Sequence, residues 1–133
     1  MNALRTGIYT ELTGTVNDFA AAVGNRIYYG MAPQSTICPY AVFHILSGNH
    51  DFTFREKFDR VTIQFNLFDD SSSPTELETI YGYLITLFDN ASLSVSGYTS
   101  IWCNRTVTVP ARWINVEQVW QISVRYDIFL QDT

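Results

Sequence analysis

The sequence predicts an α+β domain: a mostly antiparallel sheet with helices packed on one face, in the order αα-β-β-β-α-β-β. Three observations predict it. Val61, Ile63, Phe65 and Leu67 alternate with Thr62, Gln64 and Asn66, the period of a strand with one covered face and one wetter face. Leu77, Ile80, Tyr81, Leu84 and Phe88 recur at helical spacing, with Leu87 beside them, as an amphipathic helix requires. Near the C-terminus, Trp120, Ile122, Val124, Tyr126 and Ile128 alternate with Gln121, Ser123, Arg125 and Asp127. A sheet covered by helices on one side leaves the other for solvent or a partner.

Each element follows from local chemistry. Leu4, Ile8 and Leu12, then Phe19, Ala20 and Val23, fall on helical spacings. Gly14 breaks this stretch in two, and Thr15 can cap a second helix with Asp18 near its start. Gly24 suits the left-handed position that ends a helix. Ile27 to Tyr29 is a short strand. Pro39 pushes Cys38 into an extended conformation, so that a strand begins at Tyr40 and runs to Leu46, apolar on both faces and therefore well inside the sheet. Gly48 to Asp59 mixes Phe with charges and is too long for a tight turn, so it is expected to project as an extended arm or loop whose removal would spare the fold. Asp69 to Pro74 forms a turn, with Ser73 as N-cap, Pro74 at the first helical position and Glu76 completing a capping box. The helix ends at Asp89-Asn90. A strand spans Tyr98 to Val109, stopped or marked as an edge by Pro110, and the last spans Val119 to Leu130. There are no repeats and no linker, so residues 1–133 read as a single domain.

The bulk chemistry narrows the function. The chain has 133 residues, 47% hydrophobic and 16% charged, which fits a folded domain with a real core. The aromatic share of 15% exceeds what a small core easily hides, so some rings are expected in subunit contacts. A net charge of −5 argues against a surface built to grip nucleic-acid phosphates, though not against one that DNA slides past. No segment approaches the roughly 20 apolar residues of a membrane span. Met1 to Glu11, interrupted by Arg5, does not read as a signal peptide. Cys38 and Cys103 are too few for a disulfide scaffold and read as reduced, small apolar residues. The sequons at Asn90 and Asn104 then read as chance matches.

Catalytic signals are weak, so the chain is not expected to be an enzyme. His50 and Asp51 are adjacent, and neighbours on a strand or loop point apart, which makes a poor dyad. His44 sits among apolar strand residues, as a hydrogen-bonded sheet residue would. Nothing stands at metal-ligand spacing, no Gly-rich loop opens onto a Lys-Ser/Thr helix start, and Asp69-Asp70 suit a turn before a helix. No cofactor or metal is expected.

The expected interface lies elsewhere. Asp51, Phe52, Phe54, Arg55, Glu56, Lys57 and Phe58 interleave rings with balanced charges. Such a segment can be a solvated loop, an arm burying its Phe residues against another subunit, or a surface for stacking nucleic acid; the near-zero local charge weighs against the last. Arg125 and Asp127, on the wet face of the last strand, complete the candidate set. Trp102 and Trp113 read as core or as an oligomer face, with core preferred.

One further pattern runs the length of the chain. Leu4 to Tyr9, then Val23-Gly24, Arg26-Ile27-Tyr28, Ala32-Pro33-Gln34 and Pro39-Tyr40 occur in order. The strand Val61 to Phe68, the helix Pro74 to Asn90 and the strand Trp120 to Phe129 follow. This series resembles the tail-completion family of long-tailed phages, also called tail terminators or neck proteins. Asn49 to Asp59 and, more loosely, Thr99 to Trp113 depart from the family's pattern. The resemblance implies a structural virion protein assembled in the host cytoplasm and located in the tail's neck region. There it would form a homo-oligomeric ring, often a hexamer, that ends tail-tube growth. Its implied partners are its own copies, the tail tube protein and the head-tail connector protein, with genomic DNA passing through the channel unread and no membrane involved. The alternatives are a head-side completion ring (stopper or adaptor) and, more distantly, a small-ligand-binding domain.

Overall fold

Phe65 lies at the centre of the core and shows how the layers meet. Its ring is 6.0 Å from Phe43, 4.9 Å from Phe88 and 6.0 Å from Tyr126. These partners come from two neighbouring strands and the long helix. The computed structural model describes residues 2–13, 17–34, 36–52, 57–89, 93 and 95–132, with the backbone alone described at 2, 3, 47–52, 57, 58 and 132. Its elements are α1 (Asn2–Thr13), α2 (Asp18–Ala22), β1 (Ile27–Tyr29), β2 (Tyr40–Phe52), β3 (Lys57–Asp69), α3 (Thr75–Phe88), β4 (Tyr98–Ile114) and β5 (Val119–Asp132). The expected α+β order therefore holds. The five strands form one sheet in the order β1-β2-β3-β5-β4, with only the short β1 running parallel to its neighbour.

The alternation read from β3 sorts its side chains as expected: Val61, Ile63, Phe65 and Leu67 are fully buried. They share one core with Leu4, Ile8 and Leu12 of α1, Phe19 of α2, Leu77, Ile80, Leu84 and Phe88 of α3, and Ile122, Val124, Tyr126, Ile128 and Leu130 of β5. Asn17, rather than Thr15, caps α2. Its side chain accepts the Ala20 N–H at 2.8 Å and donates to the Leu12 carbonyl at 2.9 Å, tying the two helices together. Gly14 and Thr15 lie outside the described residues. Gly24 takes φ +59°, and a Cβ there would come within 2.6 Å of the Arg26 guanidinium. That guanidinium is held by the Pro39 carbonyl at 3.0 Å, fastening β1 to the approach into β2.

Five expectations need correction, one of them in part. Gly48 to Asp59 is not a free loop: β2 and β3 stay paired through Phe52↔Lys57, and β5 follows β3 as far as Phe58↔Gln131. Backbone pairing on both sides of β3 outweighs the charged, irregular pattern that suggested a loop, and Asp59 is buried. Removing 49–59 would therefore unpick the sheet. The capping box does not form; Ser71 Oγ donates to Glu76 Oε2 at 3.0 Å, and Ser73 Oγ accepts the Thr75 N–H at 3.2 Å. Of the two readings of Pro110, the stop fails, since β4 runs on to Ile114, and the edge holds. Pro110 sits on the outermost strand, in a register shift between Val109 and Arg112, where a missing N–H costs no ladder bond. Asp69 is buried at the end of β3 rather than exposed in a turn. Neither Trp102 nor Trp113 joins the core: Trp102 stacks on Phe129 at 5.2 Å, and Trp113 is exposed beside Trp120.

A polar chain locks the end of α3 to the sheet. Tyr126 donates to Asp89 Oδ1 at 2.6 Å, and Arg105 reaches Asp89 Oδ2 at 3.5 Å. Arg105 also donates to the Tyr81 hydroxyl at 2.9 Å, which bonds Thr108 at 2.9 Å. Burial first, and the bond to Asp89 second, push the Tyr126 phenol well above its ordinary range. An unfolded tyrosine gives up its proton near pH 10. Stability is thus whole below that pH and falls above it, because the unfolded chain ionises first. Urea titrations at pH 8 and 10.5 should show this loss, and Tyr126→Phe should lessen it. An equal loss in the variant contradicts the assignment. Cys103, buried in the core, has its thiol pushed up to about 12, chiefly by that burial.

Candidate assembly face

The two-residue period that buries one side of each strand presents the other side as a broad face with no helix on it among the described residues. The strand registers place Tyr28 of β1, then Tyr40, Val42 and His44 of β2, and Thr62, Gln64, Asn66 and Phe68 of β3 on this side. β5 adds Gln121, Ser123, Arg125, Asp127 and Phe129, and β4 adds Trp102 and Asn104. Its centre is a hydrogen-bonded polar ladder. Thr62 donates to Asp127 Oδ1 at 2.8 Å, Arg125 Nε to Gln64 Oε1 at 2.9 Å, and Ser123 Oγ to Asn66 Oδ1 at 2.7 Å. Aromatic pairs close its two ends. Tyr40 stacks on Phe68 at 4.9 Å, and Trp102 on Phe129, with the Arg60 guanidinium 5.6 Å above the Phe129 ring. The face thus has bonded polar side chains at its centre and stacked rings at its margins.

At the Tyr40 end, the segment from Gly30 to Cys38 and the β4–β5 turn wall a groove of about 640 Å³ floored by Tyr40, Val42, Asn66 and Phe68. Asp70 and Glu117 make it acidic. The Cys38 thiol is raised by burial and then by Asp70 and Asp69; the Tyr40 phenol is raised by burial and then by Cys38 and Glu117. Met31, which lines it, and Ile37 and Val116, next in sequence to the lining residues Thr36, Cys38 and Glu117, are 81%, 72% and 89% exposed, whereas no other large apolar side chain described exceeds 45%. Sequence reasoning missed these three. Their signal was present: single apolar residues set among Gly, Pro and polar neighbours, with no period to bury them.

The structure brings Arg125 and Asp127 together on the open face, each hydrogen-bonded to β3. Asp51 pairs with Phe58, and Phe52 with Lys57, at the far end of the β2–β3 hairpin. Phe54, Arg55 and Glu56 lie outside the described residues. The hairpin end is thus a separate patch from the groove, at the opposite end of the same strands. His44 lies half-buried on the open face with its Nδ1 unpartnered. His50 occupies a β2 position opposite buried Asp59. Among the described residues no group of three His, Cys, Asp or Glu side chains could hold a metal ion, and no helix is long and apolar enough to cross a membrane.

No family model matches the chain, and no curated protein matches it significantly by sequence. Solved structures do match its fold. The chain superposes on a chain from the virion of a native gene transfer agent particle with a TM-score of 0.79 and 13% identity. That superposition covers 98% of this chain and 96% of the other. A second solved chain matches at a TM-score of 0.55 and 15% identity, covering 96% of this chain and 94% of the other. At such identities the likeness is one of fold, and it extends over essentially the whole chain.

Proposed function

We propose that this protein is a structural component of a phage-like particle, a homo-oligomeric ring at the head-proximal end of the tail. It ends growth of the tail tube and joins tail to head connector. The observation that carries this reading is the end-to-end match to a chain of the gene transfer agent virion. The open face supports it further. A ring needs two different patches that meet head to tail. Here the bonded face around Arg125 and Asp127, free of helices among the described residues, is assigned as one of them, and the end of the β2–β3 hairpin as the other. A net charge of −5 suits a channel wall that must release DNA rather than hold it. The partners of such a part are its own copies, the tail tube protein and the connector protein, with DNA passing through unread.

Deleting the gene in a particle-producing strain tests this. Tail tubes are expected to overrun their normal length and to accumulate without heads. Normal tails with empty, DNA-leaking heads would point to a head-side completion ring instead. Unchanged particles would contradict a virion role altogether.

A further inference from the structure

The acidic groove and the free edge of the sheet complement each other. Strand order places β4 at one margin and β1 at the other, with β2, β3 and β5 between. At about 4.8 Å per strand that is roughly 19 Å from margin to margin; of the β4–β5 hairpin only Glu117 to Val119, beyond the end of β4, line the groove. β4 is a 17-residue strand with an unpaired outer side, exposed on both faces from Asn104 to Pro110. Val107, Val109 and Trp113 are exposed along it. Arg112, among them, is the one described cation without a hydrogen bond, ion pair or ring contact. The groove offers the reverse: exposed apolar rims, with Asp70 and Glu117 not ion-paired. β4 also runs opposite to β1 and β2. Identical copies turned about an axis along the strands therefore bring β4 to the next groove antiparallel, with no copy inverted.

We propose that the groove receives the β4 edge of a second copy, from Val107 to Trp113, with Arg112 against Asp70 and Glu117. This contact is the head-to-tail joint of the ring and rests on the ring reading given above. Desolvating the rim residues supplies the attraction, and the charge pair sets the register and rejects wrong partners.

Charge reversal tests it on the full chain. Asp70→Arg and Arg112→Asp should each weaken self-association by about tenfold or more, read by sedimentation, with thermal unfolding unchanged because both side chains are exposed and unpaired. Combining the two in one chain restores a complementary pair, and assembly should return. If the wild type assembles and Asp70→Arg has no effect, the groove joint is overturned while the ring stands; loss with Arg112→Asp alone would then indicate a two-fold β4–β4 contact. A wild type that remains monomeric near about 1 mM, where even an association of about −4 kcal/mol would show, contradicts the ring reading and the joint with it.

Discussion

Phe65→Ala is expected to cost about 3–5 kcal/mol of unfolding free energy, the range for truncating a buried aromatic ring. Phe65 is fully buried and touches three rings, from β2, α3 and β5, so the cavity would open where the sheet meets α3. Large neighbours on three sides resist collapse into that space, which places the loss toward the upper end. Leu84→Ala, beneath the same helix, should follow with about 2–5 kcal/mol. Equilibrium unfolding in urea measures both. A change below 1 kcal/mol for Phe65→Ala, on the order of a surface substitution, would mean that the core is organised around other residues.

The second large effect is on assembly rather than stability. Replacing residues 53–56 by Asn-Gly would join Phe52 to Lys57 through a two-residue hairpin, the connection that antiparallel strands accept most readily. Pairing up to Phe52↔Lys57 is retained, so thermal unfolding should stay close to that of the wild type. Phe54, Arg55 and Glu56, three of the nine candidate contact residues, are removed, and the yield of finished particles should fall by about tenfold or more, as loss of anchoring side chains does at interfaces. Removing 49–59 outright would instead destabilise the fold, because those positions include paired backbone and buried Asp59. A normal particle yield from the shortened hairpin would show that its end makes no contact that assembly needs.

Much of the fold could be read in the residues, for identifiable reasons. β3, β5 and α3 obey a single period over enough residues to sort their side chains, and the structure buries the residues so sorted, Tyr81, Leu87 and Trp120 only in part. The hairpin end was misread because charges interrupt its pattern; long-range pairing with β5, invisible in a local window, holds it as strand. Pro110 left a stop and an edge both open for a related reason. A proline stops an inner strand but can stay in an outer one, and strand order is a property of the whole sheet. Trp102 and Trp113 look like core because tryptophan is large and apolar. Trp102 lies outside the core because it stands on the open face, stacked on Phe129, while its neighbour Cys103 faces inward; Trp113 lies near the exposed end of β4. The open face was partly legible, through the polar residues of β5. The groove was not, since its rim and floor come from segments distant in the sequence.

Imaging the particle's neck directly examines what all of this depends on. A cryo-electron reconstruction should show several copies of this 15.2 kDa chain closed into a collar around the DNA channel, at the junction of tail tube and head connector. Helices should lie on one side of each sheet, with neighbouring copies on the other side and at its margins. Finding the chain there as isolated single copies, or finding no copy in purified particles, would contradict the account.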